Sequence, residues 1–328
     1  SEATNSLRQR GVFCEDNSMN LNVRSMWKIF TNYSERPELS DRKWYQVLLE
    51  NHNKHGKKPL ITLYPPEHWF HNPEKFDEKM SNHTSYGVGG RVNAYIRPKN
   101  KPELIQIIKL IHKSKSKVYY LGSGSNLLVN DNDINCYVIS PTKAIKSLKI
   151  HDNVIQADAG VMLGKLVKES MSNELTGLES LAGVPGTLGG ALKMNAGAWG
   201  SEISNFLVSV DVIDSKGNLK TLIPDNLKFQ YRSSSFSSND FIISARFKLE
   251  KSTEKNIKHK KKIASDGRIK TQPLKYRSAG SVFKNPNSVL AAGFLIDKSG
   301  LKGTVCGDAE ISTHHANFFI NHGTARAK

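Results

Sequence analysis

At 328 residues with 38% apolar side chains, the chain is long enough to bury more than one core and sorts into two or three domains. No run approaches the ~20 apolar residues of a membrane-spanning helix, so no membrane partner is expected. The net charge is +17, and residues 1–78 balance acid against base, so the whole excess falls on 79–328, where ligands bearing phosphate are favoured.

Residues 1–78 hold Trp27, Trp44 and Trp69, broken by several prolines, with one short amphipathic helix expected over Asp41–Asn51. Three tryptophans are unusual in a disordered tail, so this extension is expected to be ordered and to dock on its own body or on a partner. Ser85–Pro98 reads as a strand. Pro102 opens a helix with Leu104, Ile105, Ile108 and Ile111 on one face. Strands are expected at 117–121, 136–140 and 154–158, then a helix from Met162 to Met171. Leu207–Ile213 and Leu219–Leu222 flank Asp214-Ser215-Lys216-Gly217-Asn218 as a hairpin, and Phe241–Leu249 is another strand. Residues 253–270 read as a basic helix, and the remainder mixes strands with one helix. The fold class is α+β, with a separate C-terminal unit. Cys14, Cys136 and Cys306 are odd in number and far apart, which gives neither a disulfide framework nor metal spacing, and suits a reducing compartment.

Two glycine-dense stretches carry the functional signal. Gly177–Gly200 reads GLESLAGVPGTLGGALKMNAGAWG; glycine costs conformational entropy, so such density implies close backbone approach or left-handed turns. The other, Leu121-Gly122-Ser123-Gly124-Ser125-Asn126-Leu127-Leu128-Val129, follows a short strand and is expected to lead into another. It is not the G-x-G-x-x-G dinucleotide fingerprint. Amides and hydroxyls in such turns suit a diphosphate, and two of them suggest one extended ligand held at two places.

These stretches resemble the flavin-binding core of the UDP-N-acetylenolpyruvoylglucosamine reductase (MurB) family. Tyr231-Arg232-Ser233-Ser234 resembles that family's YRxS motif, and Gly280-Ser281-Val282-Phe283-Lys284-Asn285-Pro286 its GSxFKNP motif. Ala292–Asp297, Gly300–Gly303 and Ser312–Asn321 complete the order, so the resemblance covers roughly 79–328, in the shorter form that lacks an extra tyrosine loop. It implies a two-lobed FAD-binding domain of the MurB/vanillyl-alcohol-oxidase type over 79–249 and a smaller α+β substrate domain over 250–328. FAD and NADPH are the implied cofactors. FAD would be held by Gly122, Ser123, Gly124, Ser125, Asn126, Gly183, Pro185, Gly186, Thr187, Gly190, Asn195 and Gly197. Tyr231, Lys284, Asn285, His315 and Asn317 would bind the UDP-sugar.

In the family, hydride goes to the β-carbon of an enolpyruvyl ether and a proton to the α-carbon. The resemblance gives Arg232 the substrate carboxylate, which a guanidinium grips bidentately without losing its charge, and Ser281 the proton. It also implies a third catalytic group, a glutamate in a strand well beyond Asn321. That position is not among the 328 residues, so weak turnover is expected of these residues alone. Asp308 stands where the family usually has glycine. A second expectation follows from the basic body and the tryptophan-bearing extension: a structural subunit of a larger, RNA-containing assembly. The location expected is the cytoplasm for a bacterial protein, or an organelle matrix for a eukaryotic one.

Overall fold

The computed structural model describes residues 76–114, 117–214 and 216–328. The expected helix over 41–51 and the three tryptophans of the extension lie outside the described residues.

The first lobe is a four-stranded sheet. It comprises β1 (Phe76–Lys79), β2 (Arg91–Ile96), helix α1 (Lys101–Ser114), β3 (Val118–Tyr120) and β4 (Ile134–Ile139), in the order β1-β2-β4-β3. β4 runs parallel to both β2 and β3, while β1 is antiparallel to β2. Successive residues of a strand face opposite ways. Ile96 and Ile139 therefore face the main core, whereas Tyr95 and Val138 face a smaller one with Met80, Val92 and Cys136. On α1, Leu104, Ile107 and Ile108 are buried, while Ile105 is only half-buried. Ile105 packs against the same core, so Ile107 adds to the expected face rather than replacing it.

The second lobe begins with β5 (Leu148–His151), β6 (Val154–Asp158), α2 (Leu163–Ser172) and β7 (Leu175–Thr176). A 3-10 turn at Glu179–Leu181 leads to α3 (Leu188–Lys193) and the hairpin β8 (Gly197–Ala198) and β9 (Ser201–Glu202). Then follow β10 (Leu207–Ile213), β11 (Leu219–Leu222), the small hairpin β12 (Phe229–Gln230) and β13 (Ser233–Ser234), β14 (Phe241–Lys248) and β15 (Glu250–Lys251). The main sheet, β11-β10-β14-β6-β5, is antiparallel throughout. β15 pairs with β7. Both lobes share one core, in which Leu104 and Ile139 of the first meet Ile155, Leu188 and Phe247 of the second.

Helix α4 (Glu254–Thr271) packs on the Glu179–Leu181 turn of the second lobe, and after it the C-terminal unit comprises α5 (Ala292–Lys298) and a three-stranded antiparallel sheet. Its strands are β16 (Val305–Cys306), β17 (Ala309–Ile311) and β18 (Phe319–Asn321). Thr253 caps α4, its Oγ1 accepting from Asn256 N at 3.3 Å. Only Ile257 and Ala264 of α4 are buried, and its lysines are exposed, although Lys260 Nζ donates to Thr176 Oγ1 at 3.0 Å. Val282, Phe283, Phe294 and Val305 remain exposed.

Two expected strands are revised. Only Arg91–Ile96 of the 85–98 stretch is extended in a sheet, because Gly87 and Gly89 adopt φ of 71° and 133° and turn the chain first. No strand follows the Gly122–Asn126 loop. Leu127 and Leu128 are exposed, and the next strand waits until Ile134, because Asn130, Asp131 and Asn132 form a turn in which Asn130 Oδ1 accepts from Asn132 N.

Candidate active site

The two glycine stretches meet. A Cβ on Gly122 would overlap Thr187, and one on Gly186 would stand 3.4 Å from Ser125 Oγ. Gly124 has φ 65° and lies against the His83 carbonyl, while Gly183 and Gly186 have φ of 78° and 131°. These are left-handed positions that other residues rarely adopt. Ser123 Oγ donates to Ser125 Oγ at 3.2 Å, and Thr187 Oγ1 caps α3 at Gly190 N. Asn126, Pro185 and Gly190 are exposed around this junction.

Past the far end of α3 lies Asn195, fully buried and itself left-handed at φ 43°. Its Nδ2 donates to Glu202 Oε2 at 2.6 Å and to the Gln230 carbonyl at 3.2 Å. Its Oδ1 has no partner among the described residues. Glu202 in turn accepts from the Asn205 amide, whose side chain accepts from Glu202 N at 2.7 Å. The β12–β13 hairpin is thereby tied to the glycine stretch, and a second pair of bonds holds its far side. Ser234 Oγ donates to the Lys193 carbonyl, and Lys193 Nζ to the Phe236 carbonyl, each at 2.6 Å.

At the tip of that hairpin stands Arg232, with φ 53°. Its Nη2 donates to the Gly197 carbonyl at 2.6 Å, and its guanidinium lies 4.9 Å from the centre of the half-exposed Tyr231 ring. A left-handed non-glycine residue costs roughly 1–2 kcal/mol. The cost is met by the bonds from Arg232 and Asn195, which fix the fork at the edge of the glycine stretch.

The remaining expected residues lie in the C-terminal unit. Ser281 is exposed and bridges to Phe318 in antiparallel register. Its hydroxyl makes no hydrogen bond to Arg232 among the described residues. Asn317 is buried and spends its side chain on the backbone of Phe283, accepting from N at 2.9 Å and donating to O at 2.8 Å. It therefore sets the Ser281–Lys284 segment rather than offering a free amide. Asn285 Oδ1 accepts from Ala292 N at the start of α5, and Lys284 is exposed. His315 Nδ1 accepts from Asn317 N at 3.1 Å. Burial first, then Lys302 and His314, push its pKa down against a backbone hydrogen bond, so the ring is neutral and keeps that acceptor. Asp308 is used structurally, accepting from the amide and hydroxyl of Thr324 at 2.8 and 2.6 Å.

The glycine junction fits a dinucleotide. Gly122 and Gly124 leave no room for side chains, Ser123 Oγ donates to Ser125 Oγ, and Arg268 Nε, buried against Gly183, lacks a partner among the described residues, as does Asn195 Oδ1 farther along the stretch. An FAD-binding-domain model matches residues 92–222, and a model of the C-terminal domain of UDP-N-acetylenolpyruvoylglucosamine reductase matches 272–328. A UDP-N-acetylenolpyruvoylglucosamine reductase of Clostridium kluyveri is 41% identical over 255 residues, covering 77% of this chain and 83% of the relative. The chain belongs to the UDP-N-acetylenolpyruvoylglucosamine reductase family.

A reductase of this family from Clostridium tetani is 42% identical over 255 residues, 77% of this chain and 82% of its own. The crystal structure of the reductase from Thermus caldophilus superposes with a TM-score of 0.67 at 35% identity, covering 76% of this chain and 88% of that one. The chain is thus an oxidoreductase with a two-domain FAD-binding fold of mixed helices and sheets. The expectation of a non-enzymatic subunit in an RNA-containing assembly gains no support from these relatives, and neither does the organelle location, since the relatives are bacterial. The basic face behind that expectation is a lysine helix in water, which needs no nucleic acid to explain it. Sequence reasoning missed Glu202 and Arg268. Glu202 follows the last glycine of the stretch by two residues, and Arg268 is the lone arginine in a helix whose other basic side chains are lysines and a histidine. Those are the signals that mark them.

Proposed function

We propose that residues 79–328 reduce the enolpyruvyl double bond of UDP-N-acetylglucosamine enolpyruvate to give UDP-N-acetylmuramate, a peptidoglycan precursor, with NADPH as the electron source. The reading divides the chain into an FAD-binding domain over 79–249 and a substrate domain over 250–328, and places the reaction in the cytoplasm. When bound, FAD carries the hydride to the β-carbon of the substrate. The loops Gly122–Asn126 and Gly183–Thr187 hold the cofactor's diphosphate by backbone amides and by the Ser123 and Ser125 hydroxyls.

The observation that carries the reading is the locked Arg232. Its guanidinium stands on the rim of the glycine stretch, where an enolpyruvyl carboxylate gathers negative charge as the double bond is reduced. Tyr231 beside it offers an apolar face to the sugar. Ser281 gives its hydroxyl proton to the α-carbon, which completes addition of hydride and proton across the former double bond. A serine hydroxyl is a weak acid, so nearby cations must stabilise the alkoxide it leaves, which then regains its proton from water. Asn317 sets the backbone that presents Ser281, and Lys284 extends from the same segment.

An anaerobic half-reaction experiment tests this. Purified protein is expected to be yellow, to bleach on mixing with NADPH, and to recover its flavin absorbance when the enolpyruvyl sugar is added. Colourless protein that takes up no added FAD would refute the assignment, as would reduced protein that the sugar fails to reoxidise.

A further inference from the structure

Two basic side chains of α4 reach back to the second lobe: Lys260 Nζ donates to Thr176 Oγ1 at 3.0 Å, and Arg268 goes further in. The lysines of that helix are exposed, while Arg268 folds back onto the glycine-rich loop. Its Cδ and Nε stand 3.1 and 3.3 Å from where a Cβ on Gly183 would be. Gly183, at φ 78°, therefore both makes the turn and leaves space for the arginine. Nη1 donates to Gln272 Oε1 at 3.2 Å, yet Nε is buried and has no partner among the described residues. Burial pushes the guanidinium pKa down, and no carboxylate among the described residues offsets it. Ser180 Oγ, on the 3-10 turn that α4 packs against, is another buried polar atom without a partner among the described residues.

A half-buried guanidinium lacking a counter-ion is costly, because desolvation is not repaid by any opposite charge. A lysine at this position would reach water instead, as its neighbours do. An arginine kept beside a loop of exposed amides completes a site only when an anion arrives there. The fork also suits phosphate oxygens better than an ammonium does.

We infer that Arg268 is the counter-cation for the diphosphate of the dinucleotide cofactor, delivered to the glycine-rich loop by a helix outside the FAD-binding lobes. The inference rests on the proposed function, in which that loop holds FAD. The substrate's own diphosphate has the same chemistry, and the experiment separates the two sources.

The test uses the full chain stripped of flavin, with Arg268→Met, which keeps the apolar stem, and Arg268→Lys, which keeps the charge but not the fork. FAD affinity is read from quenching of flavin fluorescence, and UDP-N-acetylglucosamine affinity from titration of the flavin-loaded protein. Arg268→Met is expected to weaken FAD by on the order of 10²-fold, with Arg268→Lys intermediate and the UDP-sugar unchanged. The flavin-free Met variant should melt above its parent, since it loses an uncompensated charge; a purely structural arginine would shift melting the other way. FAD affinity within twofold of the parent would overturn the inference, as would loss of UDP-sugar affinity with FAD intact, or a Met variant that melts lower and a Lys variant with full affinity. A parent that binds no FAD would overturn the proposed function itself.

Discussion

Arg232 carries a backbone strain before it touches any ligand, and the surrounding bonds show what that strain secures. The left-handed φ of 53° turns its side chain back over Tyr231, and the bond to the Gly197 carbonyl stops the fork from sweeping. One guanidinium nitrogen is spent on the protein, which leaves the others for a carboxylate. Lysine here would keep the charge and lose both the tether and the bidentate grip. Arg232→Lys is therefore expected to slow reoxidation of the reduced flavin by the enolpyruvyl sugar by about 10²–10³. Reduction by NADPH should proceed at the parent rate, because no enolpyruvyl carboxylate is present in that half. Stopped-flow absorbance separates the two halves, and equal slowing of both would remove Arg232 from the substrate end.

At the scale of elements, the β10–β11 hairpin shows how a local signal becomes a pH-dependent contribution. Asp214 Oδ1 accepts from the Lys216 and Asn218 amides at 2.9 Å each, and Oδ2 meets Lys220 Nζ at 2.8 Å. The Lys220 bond first, then the Asn218 amide, hold its carboxyl well below the usual carboxylate range, against a smaller push from burial. A folded pKa below the unfolded one contributes stability above the ordinary carboxylate pKa, and that contribution is lost as pH falls from there toward the folded value. Asp214→Asn should therefore lower the melting temperature at pH 7, and the gap to the parent should narrow as the pH drops below about 4. A gap independent of pH would mean that the turn depends on shape alone. That hairpin was legible in the sequence because Asp-Ser-Lys-Gly-Asn carries its own turn chemistry, with Gly217 at φ 79°. Helix α1 was legible in its period, and α4 in its long basic run, which Gly267 does not interrupt. Leu127-Leu128 was not: a short apolar run reads alike in a strand and a loop, and only the later Asn-Asp turn excludes pairing. The glycine stretches announced a close backbone approach, but not that they touch, since contact between residues sixty positions apart leaves no local trace. The bracing of Phe283 by the Asn317 side chain was not legible either, because a bond between residues 34 positions apart leaves no local trace.

For the whole molecule, the decisive feature is how the thinly packed C-terminal unit is fastened to the first lobe. Tyr86, Val88 and Ala327 form a small buried cluster across the junction, with Ala279 and Phe319 against it. Asn321 Nδ2 donates to the Tyr86 carbonyl at 2.7 Å, and the Arg277 side chain lies over Gly87. Asp131 closes the joint. Its Oδ1 accepts from Gly89 N at 2.8 Å, its Oδ2 from Ala327 N at 2.9 Å, and its own amide donates to the Ala327 carbonyl at 2.8 Å. Asp131→Ala would leave two partly buried amides without acceptors, each worth about 1–3 kcal/mol when fully desolvated. Because water reaches part of this site, a loss of about 2 kcal/mol is expected, with Asp131→Asn costing less since it keeps one acceptor. The loss should be local: hydrogen exchange should quicken at Gly89 and Ala327 while the central strand β14 stays protected. Ser281 belongs to the unit held by this joint, and the glycine loops belong to the lobes. Flavin affinity should therefore persist while reoxidation by substrate slows, because the proton donor is no longer held in register with the reacting carbon. Unchanged exchange at Ala327, or flavin affinity falling in step with reoxidation, would show that the unit is held in place by something other than Asp131.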